Sequence, residues 1–271
     1  MRGASADLRR RVGRGLDRLE ARFGRPRPAR RWRPLDELIL TILSQNTNDR
    51  NRDRAYESLR RRFPDWRAVV LAPRPQVEAA IRIGGLAKTK SRTIQELLRR
   101  IELDRHELSL DFLRTVPVDE ARRYLGQFRG VGEKTICCVL LFSSGHPAFP
   151  VDTHILRVAR RLGWVAPAAS PSRVHDELAG LISHARYYPA HVNLITLGRE
   201  ICRPRNPRCE SCPLRRSCRY VERRQPARRA MGRAAARSRG AAARTVASGG
   251  GSGYIRSGRN APTGGSDDRR L

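Results

Sequence analysis

From about residue 35 to residue 220, apolar residues return every three or four positions, with Pro and Gly as punctuation. That spacing predicts helices at 35–44, 48–62, 75–82, 90–102, 119–127, 133–143, 152–162, 172–184 and 189–198. Upstream, Leu8, Val12, Leu16, Leu19 and Phe23 follow the same rule and predict an amphipathic helix. An arginine-rich transit peptide would look similar, but Asp7, Asp17 and Glu20 speak against one. No run alternates apolar and polar residues between hairpin turns, so the fold class expected is all-α.

No stretch reaches the roughly 18 to 20 apolar residues that a membrane span requires, and the N-terminus lacks the apolar core of a secretory signal. A soluble intracellular protein, cytoplasmic and without membrane contact, is expected. The helical pattern ends near residue 222. Residues 222–271 hold 12 Arg against 3 acidic residues, with repeated Gly, Ala and Ser. So little apolar surface cannot offset chain entropy, and this tail is expected to be disordered. Such a tail either adds salt-sensitive affinity for DNA or is an unselected low-complexity extension.

Composition sharpens the choice of partner. The chain has 271 residues, enough for one large or two modest cores, and a formal net charge of +30. A charge of that size suggests a polyanion, most simply nucleic acid, although an arginine-rich proteome would give the same bias. Of 56 basic side chains only three are lysine, Lys88, Lys90 and Lys134. Cys137 and Cys138 lie in an apolar run, whereas Cys202, Cys209, Cys212 and Cys218 crowd together as C-x6-C-x2-C-x5-C. Four thiolates so close, in turns stiffened by Pro204, Pro207 and Pro213, suit one metal centre in a reducing compartment. Zinc competes with an iron-sulfur cluster here. Zinc sites more often pair two C-x2-C knuckles, and the longer arms favour the wider [4Fe-4S] group. Between the first two cysteines, Arg203, Arg205 and Arg208 make a candidate phosphate clamp.

The stretch 128-FRGVGEKT-135 places two glycines around a small apolar residue at the start of a helix. Gly130, Val131 and Gly132 can then point backbone N–H groups at a phosphate, gripping DNA without reading its sequence. Lys134 follows directly. A neutral lysine is a nucleophile that can form a Schiff base, which arginine cannot; partial burial and positive surroundings would lower its pKa. A plain phosphate-binding lysine at a helix start would occupy the same position. In 150-PVDTHILRVARRLGW-164, Asp152 precedes an apolar-periodic helix and is a candidate N-cap. A rigidly held cap can still offer one oxygen to a cleft, where it would stabilise positive charge on a sugar or accept a proton from an attacking amine.

In this order, the hairpin, 150-PVDTHILRVARRLG-163 and the cysteine series resemble the endonuclease III branch of the helix-hairpin-helix DNA glycosylases, across roughly residues 30 to 220. The segment 38-LILTILSQNTNDRN-51 is similar to that branch's early helix and loop. The resemblance implies two helical domains with a DNA-binding cleft between them. A helix within residues 1–33 would pack on the cluster domain, 34–145 would form a helical barrel carrying the helix-hairpin-helix (119–143), and 146–221 would complete the cluster domain with its loop (202–218). Residues 222–271 would form the basic tail. Lys134 falls on the family's nucleophile and Asp152 on its catalytic aspartate, with one [4Fe-4S] cluster on the four cysteines. Asn46, and after it Gln45, fall where a polar side chain fills the gap left by a flipped base; amides closing a helix end are the alternative. Arg129, standing where many relatives have proline, joins the hairpin as a phosphate contact, and His154 is expected to be structural or to touch a phosphate. The SQNT wording departs from the commonest bacterial form, so lesion preference does not transfer.

The implied function is a monomeric, nucleoid-associated glycosylase and AP lyase acting on double-stranded DNA with damaged bases or abasic sites. It would remove oxidised pyrimidines and cleave by β-elimination through a lysine Schiff base; relatives that only remove the base usually lack the lysine. The alternatives are a monofunctional adenine- or thymine-mismatch glycosylase, and a non-catalytic DNA-binding module with a structural metal, in which Lys134 is dispensable.

Overall fold

In the computed structural model, which describes residues 2–28 and 31–224, eleven α-helices are found and no strand occurs among those residues. In chain order these are α1 (Arg2–Phe23), α2 (Pro34–Ser44), α3 (Asp49–Arg62), α4 (Trp66–Leu71), α5 (Arg74–Ile81), α6 (Ala87–Arg105), α7 (Val118–Gly126), α8 (Glu133–Val139), α9 (Thr153–Leu162), α10 (Pro171–Leu181) and α11 (Tyr187–Glu200). α8 runs on as a π-helical turn, Leu140–Ser144. The expected disorder of the tail falls almost wholly outside the described residues.

Local chemistry sets most boundaries. Pro34 opens α2 with Asp36 and Glu37 in its first turn, where acidic groups complement the helix dipole. Asn48, Asp65, Asp152 and Ser170 cap α3, α4, α9 and α10 through their side-chain oxygens. Gly163 ends α9 at φ 70°.

Three elements differ from the apolar pattern. α4 spans six residues, too short for a helical period to register, and is held by the Asp65 cap and the burial of Trp66, Val69 and Val70. α6 begins at Ala87, because its first turn, Ala87–Lys88–Thr89, carries too little apolar character to reveal a helix. α10 stops at Leu181: Ile182 turns extended to bury its side chain, and Arg186 beyond it binds Asp17 (2.8 Å) and Glu20 (2.9 Å) on α1.

The helices bury two hydrophobic cores. The first gathers Leu38, Ile42, Leu59, Ile94, Leu98, Leu125 and Val139, among others, from α2 to α8. The second combines Val12, Leu16 and Leu19 of α1 with Phe149, Ile155, Val158, Leu178 and Leu194. The chain thus enters the second core, builds the first, and returns at residue 149. Asn193 ties that return to the start by donating to the Gly24 carbonyl (2.9 Å). A cleft of about 760 Å³ runs where α2, α3 and α8 meet the start of α9 and α11.

Candidate active site

Glu37, Thr41 and Ser44 stand four and three residues apart on α2 and line the cleft. Lys134 and Cys138, one turn apart on α8, line it opposite, and the loop entering α9 adds Asp152, Thr153 and His154. Lys134 and Asp152 are both half-buried and share this one cleft. The Asp152 carboxylate also caps α9, accepting from the Ile155 N–H at 2.8 Å, so its position is fixed from within its own helix.

The hairpin between α7 and α8 closes with the Val131 N–H donating to the Phe128 carbonyl (3.1 Å). Gly130 sits at φ 83°, a backbone that favours glycine, and a Cβ there would press to 3.1 Å from the Thr93 methyl. Gly130, Gly132 and Arg129 are exposed, while Val131 is buried beneath them. Gln45 donates its amide to the Gly130 carbonyl at 3.1 Å, joining the α2 loop to the hairpin. Asn46, its neighbour, is exposed with φ 52°, a left-handed backbone that asparagine tolerates better than most. Behind the hairpin, Arg122 of α7 bonds the Glu133 carboxylate and the Cys137 sulfur (3.5 Å), fastening its two legs together.

Electrostatics divide the cleft into a neutral floor and a charged rim. Burial pushes the Glu37 carboxyl up to about 7, against the opposing pull of the Thr41 hydroxyl, Arg52 and Lys134. Burial likewise raises the Cys138 thiol to about 11 and lowers His191 to about 4, so both are uncharged at neutral pH. His191 Nδ1–H donates to the Pro150 carbonyl (2.9 Å). At the rim, burial acts against Asp49, but hydrogen bonding and attraction from Arg199 and Arg52 hold it below the usual carboxylate range. The Asp49–Arg199 pair links α3 to α11 across the cleft. His154 accepts from Arg157 at Nδ1 (3.1 Å), which places its own proton on Nε2. A Cβ on Gly198 of α11 would lie 2.8 Å from the His154 Cβ, so a glycine lets the two helices approach.

Several residues carried no readable signal. Glu37, Asp49 and Arg199 lie on ordinary amphipathic faces, and only tertiary packing turns them to one cleft. Lys90 is buried and its ammonium donates to the carbonyls of Leu43 (2.7 Å) and Gly84 (2.8 Å). It thereby fastens the end of α2, next to Gln45 and Asn46, to the turn that presents Leu86. Leu86 is 54% exposed at φ 50°, an apolar side chain held outward in a backbone that leucine rarely adopts. Beside the hairpin, Lys88, Arg92 and Arg129, together with Glu96, border a second groove.

Cys202, Cys209, Cys212 and Cys218 line one small apolar cavity with Val158, Leu162, Leu197 and Ile201, and none is in a disulfide. Arg161 of α9 donates to the carbonyls of Arg203 (2.7 Å) and Pro204 (2.9 Å) and to the Cys202 sulfur (3.4 Å); Arg157 donates to the Cys202 carbonyl (3.0 Å). Arg203, Arg205 and Arg208 remain exposed on the loop. Among the described residues, one trio of His, Cys, Asp or Glu ligand atoms, that of Glu133, Cys137 and His175, lies mutually within 4.8 Å, and no three of the loop sulfurs do.

Residues 39–184 match the family model described as HhH-GPD superfamily base excision DNA repair protein. A putative DNA glycosylase of Arabidopsis thaliana is 40% identical over 62% of this chain, which spans 57% of that relative's length. Endonuclease III of Thermotoga maritima is 31% identical over 73% of this chain and 89% of its own. Among solved structures, a trapped endonuclease III–DNA covalent intermediate superposes with a TM-score of 0.69 at 29% identity, covering 80% of this chain and 98% of that one. No helix among the described residues is long and apolar enough to cross a membrane. The chain belongs to the HhH-GPD superfamily of base excision DNA repair proteins.

Proposed function

We propose that this chain is a DNA glycosylase and AP lyase that accepts a damaged pyrimidine flipped out of duplex DNA. The observation that carries this reading is the shared cleft of Lys134 and Asp152, one an amine and the other a carboxylate anchored by its helix. A base inside the stack hides its sugar carbon, so extrusion must precede chemistry. The Lys134 Nζ lone pair then bonds C1′ as the C1′–N bond breaks, with its electron pair leaving on the base. Asp152 takes a proton from the new secondary ammonium, and its charge favours cation character on the sugar. Opening of the sugar ring yields an imine, which permits β-elimination of the 3′ phosphate. Oxidised pyrimidines are the proposed substrates.

The exposed glycines of the hairpin, Arg129 and the Lys88–Arg92 groove are suited to hold the phosphate backbone. Asn46 and Leu86, both held outward and braced together by Lys90, are suited to fill the space the base vacates. Gln45, already bonded to the hairpin, is the brace of that loop. Cys202, Cys209, Cys212 and Cys218 would hold a [4Fe-4S] cluster, whose metal–thiolate bonds, when formed, tie Arg203, Arg205 and Arg208 into a rigid loop.

The test is borohydride trapping on duplexes carrying an abasic site or thymine glycol. The expected result is a covalent complex that disappears in Lys134→Gln, a loss of at least about a thousandfold. No trapping with either duplex rejects the lyase. Base release that persists in Lys134→Gln favours the monofunctional glycosylase.

A further inference from the structure

Glu37 is a glutamate 6% exposed on the wall of the cleft, and it enters none of the proposed steps. Its one side-chain hydrogen bond comes from the Thr41 hydroxyl (3.2 Å), and among the described residues no cation lies within ion-pair distance of it. A buried carboxylate so placed is costly, and the neutral acid is the form that the site favours.

The groups that face it come from every neighbouring element. From α3, Arg52 is engaged by Asp49 (3.2 Å) and Asp53 (2.8 Å), and Asp49 is engaged in turn by Arg199 of α11. From α8 come Lys134, the proposed nucleophile, and the neutral Cys138 thiol; from α11 come neutral His191 and the Tyr188 phenol, raised by burial. Asp152 adds a second carboxyl to the same cleft, already committed to the Ile155 N–H. The start of α9 adds His154 to the same cleft, and burial keeps the Glu37 carboxyl in its protonated form up to about pH 7, which gives this wall of the cleft a proton to donate.

We propose that the Glu37 carboxyl is the acid that protonates the departing base. This rests on the glycosylase reading above. As the C1′–N bond breaks, its electron pair moves onto the base; the carboxyl proton of Glu37 joins that base, which leaves neutral, and Glu37 becomes a carboxylate that regains a proton from water. The proton of the attacking amine goes to Asp152, so no proton is counted twice. A pyrimidine anion is a poor leaving group, and a placed acid of matched pKa is the means by which such a departure is accelerated. A preformed abasic site has no base to lose, so its cleavage does not call on Glu37.

The experiment compares single-turnover base release from a thymine-glycol duplex with borohydride trapping on an abasic duplex. In Glu37→Gln, base release is expected to fall about a hundredfold while abasic trapping stays at the wild-type rate. Wild-type release should decline above pH about 7 as Glu37 ionises, and that limb should vanish in the variant. Glu37→Asp should restore part of the rate. Release at the wild-type rate in Glu37→Gln overturns the proposal, and so does a parallel loss of release and trapping, which marks a structural role. A wild-type protein that traps on abasic DNA but releases no base overturns the acid role while sparing the lyase, whereas no trapping on either duplex removes the underlying reading as well.

Discussion

The cysteine loop and the cleft are built on opposite plans. The loop takes all four sulfurs from residues 202–218 and holds its backbone from outside, with Arg157 and Arg161 bonded to its carbonyls. The cleft draws Glu37, Lys134, Asp152 and Arg199 from distant parts of the chain, and nothing local brings them together. Burial acts at both: in the cleft it pushes Glu37, Cys138 and His191 to their neutral forms, and in the loop it raises the Cys212 and Cys218 thiols. A contiguous site survives if its own ligands survive; a dispersed one depends on the packing of both cores.

The contrast is broken most forcefully at the loop. Cys212→Ser should release the loop and with it Arg203, Arg205 and Arg208, while leaving Lys134 in place. If all three guanidinium groups meet phosphates, the slope of log affinity against log salt becomes shallower by about 3. Trapping on abasic DNA at saturating protein should persist. An unchanged salt slope would show that the loop does not touch the duplex. A preparation that is brown and contains iron supports the cluster, and stoichiometric zinc in a colourless one rejects it.

In the cleft the corresponding change raises stability instead of lowering it. The folded Glu37 carboxyl holds its proton more tightly than the unfolded one, so wild-type stability is lost as pH rises from about 4.5 to about 7. Glu37→Gln removes that loss. At pH 8 it should be more stable than wild type by about 3 kcal/mol, with the difference vanishing near pH 4. Urea midpoints measured across this range check it; equal midpoints at pH 8 would mean that the carboxyl is not buried in its charged form.

Legibility follows the same division. The all-α class and most helices were readable, because spacing by threes and fours is a local property, as in Leu35, Leu38, Ile39 and Ile42. The cysteine series stood out because its members are neighbours in the chain, and they line one cavity. Lys134 and Asp152 stood out as candidates, one for its rarity and the other for its capping position, and the cap is present. That they face one cleft was visible only through resemblance, since it requires α8 and α9 to belong to different cores. Glu37 was not readable at all: an acidic residue in the first turn of a helix is what any dipole-complementing sequence would show. Lys90 was equally silent, since a lysine in an amphipathic helix is ordinarily solvated.

Lys90 therefore gives a sharper test of how a dispersed site is held. Lys90→Met keeps the apolar stem but leaves the Leu43 and Gly84 carbonyls without their donor, costing about 2 kcal/mol in urea unfolding. Because the same ammonium joins the Asn46 loop to the Leu86 turn, DNA affinity should fall as well. A stability loss without an affinity loss would separate those two loops from DNA binding.

The smallest expected change in stability is the most discriminating, because Asp152 belongs to both plans at once. As a cap it is local, accepting from the Ile155 N–H; as a carboxylate it belongs to the cleft. Asparagine caps a helix about as well as aspartate but carries no charge, and alanine does neither. Asp152→Asn should therefore unfold with wild-type midpoints, while Asp152→Ala loses about 1 kcal/mol. If the carboxylate acts in the reaction, both variants lose cleavage of abasic DNA to a similar degree, about a hundredfold. Cleavage that tracks stability, preserved in Asp152→Asn and lost only in Asp152→Ala, would reduce Asp152 to its cap and leave Lys134 acting without it.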